Sequence, residues 1–253
     1  MNSKEPHAAL AKYKDQLDRL IVTMNLAFGE GVTNNTSTPE DIVVFPLGVA
    51  ARDLFEEIHF LVHYGFGHAA LRTSRTLYEC VVFALYISKH PDTWGPYLDT
   101  MHASWANILR NVTDAARLMP EMHSGFLQKF PKYGQGKTIP LDWNDEKTTY
   151  NMASNVGISD DFHSLAFGYA SAFVHPGGSF VLQRFAKSPE GRLVIGAKSD
   201  DNSWSLALRI SHDLLINAIR LRTKYSSSTA LRQSLTICQQ DFSQIWGYAP
   251  QLS

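Results

Sequence analysis

The sequence predicts an all-α protein, a single helical bundle of about seven to nine helices carrying one small β-hairpin near residues 180–196. Three observations carry that expectation. Apolar residues recur at three- and four-residue steps through most of the chain. Glycine and proline clusters cut these runs into helix-length pieces, and only one region sets two short apolar runs across a turn. A chain of 253 residues also buries roughly 73% of the surface that its unfolded form exposes, so it needs no disulfide staples. The expected layout is one helical domain over 1–253, with an N-terminal helix and loop (1–38), a bundle core (39–226) and a C-terminal helix (227–253).

Leu10, Tyr13, Leu17, Leu20, Ile21 and Met24 form the stripe of a first amphipathic helix over about 8–28, ended by the Gly, Asn and Thr residues that follow. Thr38-Pro39-Glu40-Asp41 has the chemistry of a helix start, and a second helix runs to about Tyr64, with Pro46 marking a kink or restart. Gly65 and Gly67 break the chain before a third helix over 68–90, whose second half is apolar on every side and therefore reads as central and buried. Pro91 stops it. A fourth helix runs from Trp94 to about Leu118, and 121–144 reads as a short helix followed by an irregular loop. Ser159-Asp160-Asp161 caps a helix that reaches His175 and ends at Pro176-Gly177-Gly178. Phe180–Leu182 and Leu193–Ile195 pair as the hairpin, and helices over 203–225 and 228–246 complete the chain.

Twenty-three basic against twenty-four acidic side chains leave a net charge of -1, which removes any chain-wide attraction to nucleic acid or an anionic membrane. Arg209, Arg220, Arg222, Lys224 and Arg232 cluster near the C-terminal helices and read as a solvated helix face. Cys80 and Cys238 lie in apolar helical segments, as small buried hydrophobes of a reducing compartment do. The first 27 residues carry charges at helical spacing that a signal peptide's apolar core would not tolerate. The longest apolar run, Cys80 to Ile87, is far short of the ~20 residues that span a bilayer. These features predict a cytoplasmic protein with no membrane association. Gly65-Phe66-Gly67 and Gly134-Gln135-Gly136-Lys137 lack the context of a phosphate loop, and no cofactor is expected.

Three constellations could carry chemistry. On the third helix His68, Arg72, Arg75 and Glu79 share one side, and Phe83 and Tyr86 continue that stripe, so charge is carried toward protein. Arg75 and Glu79, four apart, can satisfy each other, and removing Glu79 from a buried pair would cost several kcal/mol. An exposed surface pair is the competing reading. On the second helix Arg52, Glu56, His59 and His63 share the side opposite the apolar face. Glu56-x-x-His59 has the spacing of a di-iron bundle ligand pair, with Asp160-x-x-His163 as a weaker copy, and His59 with His63 could hold one metal if Glu79 joined from the third helix. A wet helix face explains the same pattern. The last is His175, with Ser171 one turn earlier, beside the Pro-Gly-Gly break; the helix dipole alone favours a histidine there.

Gly67 through Glu79, followed by Tyr86-Ile87, resembles the core helix of the domain of unknown function family 5677, in which an alanine-rich turn precedes an Arg and a Glu four residues on. Tyr169, Ser171 and His175 resemble that family's second feature. The likeness covers about residues 40–225 and implies an all-helical bacterial protein of unestablished activity. A looser likeness links Arg52-Asp53 and His59 to the higher eukaryotes and prokaryotes nucleotide-binding superfamily of helical bundles, many of them metal-independent ribonucleases of defence and toxin systems.

The resulting expectation is a binding or interaction module for a small anionic ligand or a partner protein, with Arg72, Arg75, Ser171 and His175 as ligand contacts. The alternative is a ribonuclease-like enzyme using Arg75, Glu79 and His175, or Arg52 and His59, and RNA is a partner only in that case. A metal protein using Glu56, His59, His63 and Glu79 is the second alternative. Association as a homodimer is compatible with each of these.

Overall fold

A computed structural model of the chain describes residues 10–29, 38–100, 104, 146, 148–174, 185–187, 193–195 and 201–251. The long helices are α1 (Lys14–Phe28), α2 (Asp41–His63), α3 (Gly67–Lys89), α7 (Asp201–Thr223) and α8 (Thr229–Trp246). Between α3 and α7 lie a 3-10 turn (Pro91–Thr93), a helical stretch over 94–100, α4 (Thr149–Asn155), α5 (Asp160–His163), a π-helical segment (Ser164–Tyr169), α6 (Ala170–Val174), β1 (Phe185–Lys187) and β2 (Leu193–Ile195). The all-α bundle expected from the sequence is therefore found. Among the described residues no helix is long and apolar enough to cross a membrane.

Side-chain contacts fix the directions of the long helices. Arg19 on α1 meets Asp241 on α8, and Thr23 meets Cys238, so the two helices run antiparallel. Gly65, at φ 77°, makes the turn that sends α3 back along α2; a side chain is strained at that angle. Asp41 at the start of α2 lies 4.0 Å from Arg222 at the end of α7, while Tyr225 just beyond α7 reaches Ser88 at the end of α3. Hence α3 and α7 run parallel and α2 runs opposite to both. One apolar cluster, including Leu20, Met24, Phe55, Leu71, Phe173 and Phe242, joins α1, α2, α3, the α6 segment, α7 and α8.

Several expectations need adjustment. Pro46 does not restart α2, which runs unbroken from Asp41 to His63: the proline lies in the second turn, where only the bond to Ile42 is forfeited, and it is exposed. The second half of α3 is buried as expected, at Val81, Val82, Ala84, Tyr86 and Ile87, and an unexpected continuous buried run is 210–219 on α7. Ser211, His212, Asp213 and Asn217 fall within it, which disguises its burial in the sequence. Arg222 is 5% exposed and lies over the Phe45 ring at 4.9 Å, so the C-terminal arginines are not one solvated face. The hairpin pairs Phe185 with Ile195 and Lys187 with Leu193, so its second strand is as expected and its first starts five residues later than Phe180. Helix α4 was not legible: only Met152 and Ala153 of its seven residues are buried, too few to make a stripe. The expected helix beyond residue 104, the loop over 121–144 and the Pro176-Gly177-Gly178 break lie outside the described residues.

Candidate functional site

Arg75 faces the π-helical segment from α3, with Glu79 one turn further along the helix. The Arg75 Nη2 to Glu79 Oε1 distance is 3.4 Å, and the side chains are 23% and 29% exposed. The i,i+4 pair thus lies between the buried and the exposed surface readings of the sequence, and the contact is long for a charge-assisted bond. The Arg75 guanidinium also lies 4.6 Å from the centre of the Phe167 ring, within cation-π reach. Its Nε is buried and has no hydrogen-bond partner. A guanidinium offers five N–H donors, and here one long contact is made. Burial pushes the Glu79 carboxyl above its ordinary value, with Arg75 opposing.

Phe167 owes its place to local sequence. Ser159 caps α5 by accepting a bond from the Phe162 amide at 3.3 Å, and the chain then widens into a π-helix over Ser164–Tyr169 before α6 resumes. A π segment inserts an extra residue per turn and is frequent at functional sites. The Ser171 hydroxyl donates to the Phe167 carbonyl at 2.5 Å, which also accepts the Ala170 N–H at the end of the π segment. Ser171 thus spends its proton on the scaffold.

A second group extends the same face. Tyr78, fully buried on α3, has its hydroxyl 2.7 Å from His163 Nδ1. Burial pushes the phenol upward, so Tyr78 keeps its proton, and in the Nε2–H tautomer of His163 it donates to Nδ1. The His163 ring stacks on Phe167 at 5.2 Å and 22° and meets Tyr150 edge-on at 5.1 Å. Burial lowers the His163 pKa and Asp160 opposes that shift; Asp160 also accepts a bond from Tyr150 at 3.0 Å. Asp160 and His163 of the Asp160-x-x-His163 pair therefore each engage a tyrosine, Tyr150 and Tyr78. Arg75 and His163 contact one aromatic ring, and neither Phe167 nor Tyr78 was singled out from the sequence, because large apolar positions on two helices look like core. The histidine four residues before an aromatic was the available signal.

The other expected residues are distributed as follows. Arg72 is exposed one turn before Arg75. His68 is half-buried, its ring 4.9 Å from Phe173. His175 lies outside the described residues, so the Arg75, Glu79 and His175 grouping is not described. Arg52 bonds Asp53 at 2.6 and 2.8 Å and the Phe28 carbonyl at 2.6 Å, which satisfies an open backbone oxygen at the end of α1. His59 is half-buried beside Phe55 with its Nε2 unpartnered, and burial first, then His63, lower its pKa. Glu56 is exposed and His63 lies edge-on to Tyr64. Among the described residues no group of three or more His, Cys, Asp or Glu side chains could hold a metal ion, so Glu56, His59, His63 and Glu79 do not converge.

A further polar group sits inside α7. Asp213 is fully buried and accepts from the Asn217 amide at 2.9 Å and from the Gln251 backbone at 3.0 Å. Burial pushes its carboxyl up to about 7. His212, 1% exposed, accepts from the Trp246 indole at 3.2 Å, and burial pushes it down to about 3.

No curated protein matches the chain, and no solved structure matches it. A family model described as "Family of unknown function (DUF5677)" matches residues 41–192, more than half of the chain and a span that includes Arg75, Tyr78, Glu79, His163 and Phe167. The chain belongs to that family.

Proposed function

We propose that the protein is a binding module for a small anionic ligand, taken up at Arg75 beside the π-helical segment. The observation that carries this reading is a half-buried guanidinium laid over an aromatic ring with most of its donors uncommitted. A carboxylate or phosphate accepts two parallel bonds from such a fork. The raised pKa of Glu79 weakens the competing internal anion, and Arg72, exposed one turn away, adds a second positive charge. Two free cysteines, with the Cys80 thiol pushed up to about 11 by burial, support placing the module in the reducing cytoplasm of a bacterial cell.

Thermal unfolding in phosphate, citrate and adenosine monophosphate tests it, because a ligand that binds only the folded chain raises Tm. The expected result is a rise for at least one anion that disappears in Arg75→Gln and persists in Glu79→Gln. Comparing the ligand-induced shifts, rather than the Tm values, separates binding from any loss of stability in the variant. Equal shifts in wild type and Arg75→Gln would remove the site. The ribonuclease reading draws on the same arginine, so RNA is added to the series: metal-independent cleavage lost in Arg75→Gln would replace the binding module with an enzyme.

A further inference from the structure

We propose a second binding site, selective for an aromatic carboxylate, in the cleft where the chain entering α1, the start of α7 and the end of α8 meet. The cleft has a volume of about 240 Å³ and shares no residue with the Arg75 face. It also lies outside the family-matched span, so it stands independently of the function proposed above.

Its wall is apolar and largely aromatic, formed by Tyr13, Leu17, Trp204, Leu208 and Trp246. Trp246 commits its indole N–H to His212, and Tyr13 packs against Trp246 with ring centres 6.3 Å apart. An apolar cavity of about 150 Å³ admits benzene, and this one is about 1.6 times larger, a ratio that suits a ten-carbon bicyclic ring. Small-molecule sites combine such walls with a few polar groups that set orientation. Here the charged group is Lys12, an exposed cation whose Nζ lies 5.1 Å from the Tyr13 ring centre. Neighbouring cations are neutralised: Lys14 pairs with Asp18, and Arg19 with Asp241. Lys12 forms no ion pair with any described residue. A cation paired with no described residue, on the lining of an aromatic cleft, complements a ring that carries a carboxylate.

Isothermal titration calorimetry of the full chain with 2-naphthoate, and with its neutral counterpart 2-naphthalenemethanol, tests the assignment. The naphthoate is expected to bind saturably and to shift the indole N–H resonances of Trp204 and Trp246, each identified by its Trp→Phe variant. Lys12→Glu changes an exposed side chain and leaves the core alone; it should weaken naphthoate roughly fivefold, as a partly exposed charge pair does, without weakening the alcohol. Leu208→Trp fills the cleft and should abolish binding of both. Absence of saturable binding, or resonance shifts confined to other indoles, overturns the site, and that readout holds even if Leu208→Trp fails to fold. Equal affinity of wild type and Lys12→Glu for naphthoate overturns the carboxylate selectivity.

Discussion

Arg75 keeps 23% of its side chain exposed and meets Glu79 across 3.4 Å, whereas Asp213 is fully enclosed and held by Asn217 and Gln251 at 2.9 and 3.0 Å. Both groups put an ionisable side chain inside a helical bundle. The difference lies in what closes around them. The α3 face is completed by a π segment that leaves guanidinium donors over, while the α7 group is sealed by α8 and by the chain returning through Tyr248 to Gln251. Enclosure turns polar chemistry into stability, and openness makes it available to a ligand. Arg220 stands between these cases: one end of its guanidinium reaches Asn217 and Gln251, and its Nη2 is buried without a partner.

The largest expected effect comes from breaking the enclosed side. Asp213→Ala strands the Gln251 N–H, leaves the Asn217 amide only its bond to the residue-213 carbonyl and opens a buried space, and should lower unfolding free energy by about 3 kcal/mol. Glu79→Gln, at a longer and half-exposed pair, should cost under about 1 kcal/mol, less than the several expected from a fully buried pair. Urea unfolding of both variants checks the contrast. Equal losses would mean that the α3 pair is as structural as Asp213.

A pH series sharpens it further, because Asp213 and His212 pull in opposite directions. Asp213 holds its proton in the folded chain up to about 7, so its contribution is present in acid and is lost as pH rises from about 4 to about 7. His212 stays neutral down to about 3, so its contribution is present above about 6.5 and is lost as pH falls toward 3. Between about 4 and 6.5 the two slopes oppose. Relative to wild type, Asp213→Asn should make stability rise more steeply with pH across that window, and His212→Gln should make it fall. Denaturant midpoints at pH 4.5 and 6.5 decide this, and two variants that change the slope in one direction would contradict it.

These contrasts also explain which parts were legible in the sequence. The long helices follow from apolar residues at helical spacing, and Arg75 with Glu79 follows from the i,i+4 rule. Helix α4 has too small an apolar stripe to register, and the π segment breaks the very period by which helices are recognised. The Asp213 group was hidden by the opposite problem. Ser211, His212, Asp213 and Asn217 drew no reading from the sequence, because buried polar groups are distinguished from exposed ones only by partners such as Gln251 and Trp246, which lie more than thirty residues away. Tyr78 and Phe167 looked like core, and the structure gives each a polar neighbour through tertiary contact.

The smallest expected effect lies at the join between these regimes. Tyr78 is enclosed like Asp213, while its partner His163 is only half-buried like Arg75. A hydrogen bond donated to Nδ1 favours the neutral imidazole, in the same direction as burial and against Asp160. Tyr78→Phe removes that donor at a cost of about 1 kcal/mol, and should raise the pH at which His163 titrates, measured by the imidazole proton shifts. Asp160→Asn should lower it, since the carboxylate stabilises the imidazolium. If His163 titrates at one pH in wild type and Tyr78→Phe, burial and Asp160 set its charge without the phenol, and the buried tyrosine then serves the core rather than the open face beside Arg75.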